Sequence, residues 1–164
     1  NNISNDIEAI LNILEKFDFY ILFTYANADA GGRLINQKIE EFCKIQPAKY
    51  KVVKSLGQVK YLSSMKYVDL LIGNTSSGII EAASFKKPVV NIGDRQKGRL
   101  RGKNVIDCNL NSLQESITFA LSNSFRNKIN NMNNIYGTGS AADIILDKLI
   151  NEPISVIKKF RDQP

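Results

Sequence analysis

The sequence predicts an α/β fold built on a doubly wound, parallel β-sheet of the Rossmann-like kind. Short apolar runs of strand length alternate with amphipathic stretches of helical spacing along most of the 164-residue chain. Such alternation favours parallel strands joined by helices that cover both faces of the sheet. The length fits one domain, which we place over residues 1–164, and no internal repeat interrupts it.

The first four elements follow from the spacing of apolar residues. Apolar side chains at every third or fourth position predict an amphipathic helix over residues 3–17. An apolar and aromatic run then predicts a buried strand over residues 19–25. After a glycine pair that breaks the pattern, helical spacing returns over residues 34–43, and a second strand is predicted over residues 50–56.

The middle of the chain predicts two further pairs of elements. A short helix over residues 58–67 precedes a third strand over residues 68–72, which is apolar apart from one aspartate. A helix over residues 77–85 stops before Pro88, because the residue preceding a proline disfavours helical backbone. A fourth strand follows over residues 88–92.

The last third predicts one strand and several helices. The strand covers residues 104–108, a helix covers residues 111–121, and residues 125–132 add a further helical turn or two. Ser140 opens the last long helix, with Asp143 three residues on as its capping-box partner. Pro153 weakens or ends that helix before a polar tail.

Composition narrows the chemistry. The net charge of +6 favours anionic partners, either nucleic acid or a phosphorylated small molecule. The chain has no histidine, which excludes a His-based triad, metal site or general base within it. Cys43 and Cys108 make neither a disulfide framework nor, without histidine, a zinc site, and are typical of a reducing cytoplasm. No apolar run of about 18 residues predicts a membrane span.

The strongest candidate site is the stretch from Gly73 to Glu81, which joins the third strand to a helix. Ligands of doubly wound sheets bind beyond the carboxyl ends of the strands. Free N–H groups at a helix start attract phosphate, Thr75 and Ser76 can add hydroxyl donors, and Gly78 permits close approach. It is not a P-loop, since isoleucine stands where lysine is required. An ordinary turn with serine caps accounts for the same residues equally well.

Glu81 shifts this balance toward a ligand. The residue three positions earlier is Gly78, which has no side chain to complete a capping box. An ionised carboxylate only accepts hydrogen bonds, so the hydroxyl groups of a ribose are good partners for it. A favourable interaction with the helix dipole is the alternative.

Two other junctions add candidates. Residues 93–102 place four cations within seven positions between glycines, which indicates either an anion-binding loop or a solvated surface loop. A nucleic-acid patch is also open, although no aromatic residue interleaves there for base stacking. Asn27, after the first strand, can hydrogen-bond a ligand or serve as a turn residue.

Taken together, these motifs resemble a known enzyme family. Residues 73–82 (GNTSSGIIEA) and 91–99 (NIGDRQKGR) resemble the hydrolysing UDP-N-acetylglucosamine 2-epimerases, which make N-acetylmannosamine for sialic acid synthesis. Residues 27–31 and 136–139 also fit that pattern. The resemblance runs from about Phe19 to the final helix and covers only the C-terminal half of a GT-B fold, in which two Rossmann-like domains face a cleft. It implies a piece of a longer enzyme, which agrees with a first residue other than Met.

The resemblance also implies roles for individual residues. Thr75, where serine is more usual, and Ser76 match a hydroxyl pair that holds the diphosphate, and Glu81 matches a ribose-binding glutamate. The resemblance places the catalytic residues in the absent N-terminal domain, so the segment alone would be inactive. It implies no metal and no cofactor. The implied substrate-binding residues are Asn27, Leu56 (beside the uracil), Thr75, Ser76, Glu81 and Arg95, with Ser77, Gly78 and Arg99 as weaker candidates.

The family reaction eliminates UDP across C1 and C2 of the sugar and adds water to the resulting glycal. The implied partner is therefore a UDP-sugar, for an intact cytoplasmic protein that forms homo-oligomers and binds neither nucleic acid nor membrane. Three alternatives stay open: a GT-B glycosyltransferase donor domain, a related UDP-diacetylbacillosamine 2-epimerase, and a basic, non-catalytic domain that binds RNA or another anion.

Overall fold

A computed structural model describes residues 3–27 and 30–153, and these residues form alternating helices and strands. The helices are α1 (Ile3–Leu14), α2 (Gly32–Ile45), α3 (Gly57–Met65), α4 (Ser76–Ile80), α5 (Leu113–Leu121), α6 (Asn123–Ile129) and α7 (Ala141–Asn151). The strands are β1 (Ile21–Thr24), β2 (Tyr50–Val53), β3 (Leu71–Gly73), β4 (Val89–Ile92) and β5 (Val105–Cys108). Short 3-10 turns cover Ala82–Phe85 and Leu110–Ser112.

All strand pairs in the described residues are parallel, which confirms the predicted Rossmann-like class. β1 pairs with β2, and β4 pairs with β3 on one side and β5 on the other. The five strands thus form two hydrogen-bonded groups. Ile21 and Phe23 of β1 pack in the same apolar cluster as Ile72 of β3, whereas β2 contributes to a different cluster. The two groups therefore share a core beside β1.

The core consists of apolar helix faces packed on these strands. On α5, Leu113 and Ile117 are fully buried in the cluster that also contains Val90 of β4. On α2, Phe42 stacks against Tyr50 of β2 with ring centroids 4.7 Å apart. This packing fixes the sheet, and therefore fixes the loops that leave its carboxyl edge.

Some predicted boundaries are wrong in ways that bear on the site. β2 ends at Val53, so Leu56 lies outside the strand, in the position that precedes α3. The helix predicted over residues 77–85 divides into α4 and a 3-10 turn, which meet at Glu81. Each difference moves a candidate residue from regular structure into a connection, where backbone groups are more available.

The C-terminal part of the description also corrects one prediction. Ser140 does precede α7, but its side chain makes no capping hydrogen bond, so the capping box with Asp143 is wrong. Its hydroxyl lies 3.3 Å from that of Thr138 instead. α7 ends before Pro153, as predicted, and the polar tail beyond it lies outside the described residues. Among the helices that the structure describes, none is long and apolar enough to cross a bilayer.

Candidate functional site

Three connections leave the carboxyl ends of the parallel strands, and they carry most of the candidate residues. Asn27 follows β1, Thr75 follows β3, and Arg95 follows β4. Because β3 and β4 run parallel with Gly73 opposite Asn91, their exits lie side by side. The edge where parallel strands end is where ligands of such sheets bind, above all where the winding direction reverses.

The turn between β3 and α4 is held by the hydroxyl group of Thr75. This residue has extended backbone and is the N-cap of α4, and its Oγ1 accepts hydrogen bonds from the N–H groups of Ser77 at 3.1 Å and Gly78 at 3.4 Å. The prediction that these N–H groups are free for an anion is therefore wrong in this structure. Thr75 and Ser76 are exposed, so their hydroxyl protons remain available to donate to a ligand.

Gly78 has a role in packing that the sequence did not predict. The residue is buried, and a Cβ atom added to it would lie 3.1 Å from Cγ1 of Val89 on β4. The missing side chain thus lets α4 approach the sheet closely. Whether the residue also contacts a ligand stays a prediction.

Among the described residues, one carboxylate oxygen of Glu81 is left without a structural partner. Glu81 follows the last residue of α4, where the helix dipole does not favour negative charge, and its side chain caps neither α4 nor the following 3-10 turn. Within the described part of the chain, its Oε2 atom is buried without a hydrogen-bond partner, as is Oγ of Ser77, four residues earlier on the same helical face. Buried polar atoms are normally paired, so this face is suited to receive hydroxyl groups of a ligand.

The loop from Gly93 to Gly102 contains one cation that is bonded to β5 and three whose side chains are exposed. Arg101 donates through Nε to both carboxylate oxygens of Asp107, at 3.1 and 3.0 Å, and through Nη1 to the carbonyl oxygen of Arg99 at 2.6 Å. Arg101 therefore fixes the loop. The side chains of Arg95, Lys97 and Arg99 are exposed, and they supply the positive charge of this surface.

One glutamine ties this loop to the neighbouring turn. Gln96 is only 4% exposed, and its Nε2 donates to the carbonyl oxygen of Asn74 at 2.7 Å. The structure thereby brings the loop of Arg95 and Arg99 against the turn of Thr75 and Ser76. The candidate residues predicted from the sequence did not include Gln96, although an uncharged amide within a run of cations is a signal of such a role.

Asn27 and Leu56 belong to other connections, which follow β1 and β2. Asn27 is exposed, and its carbonyl oxygen lies where a Cβ atom on Gly32 would come within 2.3 Å. Its neighbours Ala28 and Asp29 lie outside the described residues. Leu56 is half-buried before α3. Among the described residues, no hydrogen bond joins Asn27 or Leu56 to Thr75, Ser76 or the cationic loop.

Neither the thiols nor the described carboxylates form a second functional site, such as a reactive cysteine or a metal site. Burial raises the pKa of the Cys43 thiol, and also that of Cys108, which keeps both thiols neutral near pH 7. Within residues 3–27 and 30–153, no group of three or more His, Cys, Asp or Glu side chains could hold a metal ion. An open cleft of about 470 Å³ lies against α2 and β2, with Glu40, Lys44 and Lys51 in its wall, away from the turn of Thr75.

Solved structures define the class of this domain. The UDP-GlcNAc 2-epimerase of Methanocaldococcus jannaschii, in complex with UDP-GlcNAc and UDP, superposes with a TM-score of 0.68 at 19% identity over 92% of this chain and 41% of that one. A putative UDP-N-acetylglucosamine 2-epimerase from Listeria monocytogenes superposes with a TM-score of 0.69 at 17% identity, over 99% of this chain and 44% of that one. The fold is thus a Rossmann-like domain of the GT-B type.

Sequence comparison places the chain more closely. The profile of the UDP-N-acetylglucosamine 2-epimerase family matches residues 1–150, and the chain belongs to that family. It is 43% identical over 129 residues to GDP/UDP-N,N'-diacetylbacillosamine 2-epimerase (hydrolyzing) of Campylobacter jejuni, covering 76% of this chain and 34% of the relative. It is 35% identical over 165 residues to polysialic acid biosynthesis protein P7 of Escherichia coli, covering 97% of this chain and 39% of the relative. The chain thus spans well under half the length of these relatives.

Proposed function

We propose that this chain is the UDP-binding domain of a hydrolysing UDP-N-acetylglucosamine 2-epimerase, which releases N-acetylmannosamine and UDP. The observation that carries the proposal is the unpaired polar face of α4, where Oε2 of Glu81 and Oγ of Ser77 are buried without partners among the described residues. A ribose offers the hydroxyl donors that a carboxylate requires. Membership of the epimerase family and the position of this face, just beyond β3, support the same ligand.

The diphosphate would lie next to this face, between two sources of positive potential. One is the start of α4, where the exposed hydroxyl groups of Thr75 and Ser76 are available as donors. The other is the neighbouring loop with the exposed cations Arg95 and Arg99. Cations and hydroxyl donors together neutralise a diphosphate without a metal ion.

The remaining predicted contacts would bind the base and the sugar side of the ligand. Leu56 is half-buried before α3, where an apolar side chain can pack against uracil while nearby backbone groups read the edge of the base. Asn27 is exposed beyond β1, with its carboxamide available to a ligand. Both assignments require the ligand to bridge from the turn of Thr75 toward β1.

The proposed reaction assigns this domain an electrostatic role. Eliminating UDP across C1 and C2 of the sugar transfers negative charge to the departing diphosphate. Donors and cations already held at that point stabilise the charge as it develops, which accelerates the step more than equal binding of the substrate would. The groups that abstract and donate protons would belong to the N-terminal domain of the intact protein, a cytoplasmic homo-oligomer, so this chain alone would not turn over substrate.

A second substrate has a specific observation in its favour. The Campylobacter jejuni relative, 43% identical, is named for UDP- and GDP-linked N,N'-diacetylbacillosamine. The two activities share the leaving nucleotide and differ in the sugar, whose contacts would lie largely outside this chain. Supplying the intact protein with each UDP-sugar in turn and identifying the released sugar by mass spectrometry separates the two substrates.

Calorimetric titration with UDP tests the proposed site. We expect saturable binding, and Glu81→Ala should weaken it by roughly tenfold or more, as befits a hydrogen bond to a charged group. Glu115→Ala, on the exposed face of α5, is the matched control and should bind as the wild type does. Absence of UDP binding, together with RNA binding that weakens steeply with salt, would instead identify a basic nucleic-acid-binding domain.

A further inference from the structure

The hydrogen bond from Gln96 to Asn74 connects two loops that the sequence separates by 22 positions. The carbonyl group that accepts it belongs to the residue immediately before Thr75. The residue that donates it lies immediately after Arg95. The β3–β4 ladder places the two strand exits side by side, and beyond it this side chain links the loop of the arginine to the turn of the hydroxyl pair.

The surroundings of Gln96 make this link rigid. The side chain is 4% exposed, although it belongs to a loop whose neighbouring side chains, Arg95 and Lys97, are exposed. Two backbone hydrogen bonds tighten the loop around it, from the N–H of Lys97 to Asp94 at 2.8 Å and from the N–H of Arg99 to Gln96 at 3.3 Å. Because the amide is buried, few other rotamers are open to it, and the position of the bond is fixed.

The far end of the same loop is anchored separately. Asn91, 1% exposed on β4, donates through Nδ2 to Asp107 of β5 at 2.6 Å. Asp107 also accepts hydrogen bonds from Nε of Arg101, whose Nη1 in turn donates to the carbonyl oxygen of Arg99. This anchor holds residues 99–101 to the sheet. Among the residues that the structure describes, this anchor does not reach the turn between β3 and α4, whereas the side chain of Gln96 does.

We propose that Gln96 is a positioning residue, which holds the Arg95 loop at the separation from the Thr75–Ser76 turn that a nucleoside diphosphate requires. The inference rests on the proposed function, because the ligand it concerns is the diphosphate of UDP. Gln96 acts through Arg95 and the neighbouring turn and need not touch the ligand. An amide donor suits this task better than a cation would, since it fixes the distance without adding charge that competes for the phosphates.

The substitution Gln96→Met tests the proposal in the intact protein that carries this chain. Methionine keeps the length and most of the volume of glutamine but has no N–H donor. Asn74 is exposed, so water can hydrate its carbonyl group, and the unfolding midpoint should stay close to that of the wild type. UDP affinity should fall by roughly five- to tenfold, the equivalent of one lost hydrogen bond.

A matched control is Gln37→Met. Gln37 also donates through its side-chain amide, to Glu41 at 2.9 Å, but lies on the exposed surface of α2. It should leave UDP affinity unchanged. If Gln96→Met does not fold, Gln96→Asn replaces it, because asparagine keeps the amide but is one methylene too short to reach Asn74 without moving the loop.

A double-mutant cycle with Arg95→Ala separates positioning from general damage to the fold. If Gln96 acts by placing Arg95, the double variant should bind UDP much more tightly than the product of the two single losses predicts. Two results would overturn the positioning role of Gln96: a double variant whose loss of affinity equals the product of the two single losses, or a folded Gln96→Met variant with wild-type affinity. Either result leaves the proposed function intact, provided that the wild type binds UDP. A wild-type protein that binds no UDP would contradict both the positioning role and the proposed function.

Discussion

The hydroxyl oxygen of Thr75 accepts hydrogen bonds from the N–H groups of Ser77 and Gly78, so the side chain stabilises α4 even without a ligand. Replacing Thr75 with valine keeps the branched shape and removes the acceptor. We expect Thr75→Val to lower the free energy of unfolding by about 1 kcal/mol, the usual value of an N-cap, whereas Thr75→Ser should retain most of it. Urea denaturation of the unliganded protein measures both values.

A control for Thr75→Val exists on α5. The hydroxyl group of Thr118 donates back to the carbonyl oxygen of Gln114 at 3.0 Å, on an exposed face, and caps no helix. Thr118→Val should change the free energy of unfolding by less than about 0.5 kcal/mol, as exposed substitutions away from special features usually do. If the two valine variants were equally stable, the capping role of Thr75 would be refuted.

Single residues differ in how far the sequence could predict their roles. Glu81 could be singled out because Gly78, three positions earlier, excludes a capping box, and its carboxylate indeed caps nothing. The capping role of Thr75 was not foreseen, since hydroxyl groups at a helix start suit a ligand and a cap equally well. The uncharged amide of Gln96 stands out within a run of cations, but its partner could not be predicted, because that partner lies 22 positions away and only the fold brings the two together.

At the scale of elements, Gly32 shows how α2 is fitted to the connection that follows β1. It is the first residue of α2, and a Cβ atom there would lie 2.3 Å from the carbonyl oxygen of Asn27. Helix propensity alone predicts that Gly32→Ala is stabilising by roughly 1 kcal/mol. The steric conflict with backbone reverses that sign, and we expect a net loss of about 1–3 kcal/mol, typical of overpacking.

Urea denaturation and UDP titration of Gly32→Ala report on different consequences of this conflict. The free energy of unfolding measures the clash, and a weaker affinity for UDP would support the proposed contact between Asn27 and the ligand. Gln37→Ala, on the exposed face of the same helix, adds alanine without a clash and is the control. A Gly32→Ala variant more stable than the wild type would mean that the backbone after β1 moves to relieve the clash at little cost in free energy.

Whether an element is a helix or a strand was predictable, because the spacing of apolar residues reflects which side chains are buried. The buried side chains of α5 and β4, for example, pack in one cluster. Element ends were less predictable. The strand predicted to reach Leu56 ends at Val53, because two polar residues, Lys54 and Ser55, separate Leu56 from the apolar run. The helix predicted over residues 77–85 changes to a 3-10 turn at Ala82, and no apolar spacing distinguishes that turn from another turn of α-helix.

At the scale of the whole molecule, the buried side chains that stabilise the fold lie in the body of the domain, where helices pack on the sheet, and α7 contributes none of them. Leu113 and Ile117 of α5 are fully buried, whereas α7 has no buried residue. Its large apolar side chains are each more than half exposed: Ile144, Ile145, Leu146, Leu149 and Ile150. Contiguous exposed apolar surface of this kind favours association, so the isolated chain should associate with itself through α7 as concentration rises.

Replacing Ile145 and Leu149 together with glutamine tests this division. Glutamine is a good helix former, and neither side chain packs on the body, so the free energy of unfolding should change by less than about 0.5 kcal/mol. Sedimentation velocity over a range of concentrations should show less association than in the wild type. Leu113→Ala, which opens a cavity beneath β4, should instead cost about 2–5 kcal/mol and leave association through α7 unchanged. A glutamine pair as destabilising as Leu113→Ala would show that α7 packs on the body in solution.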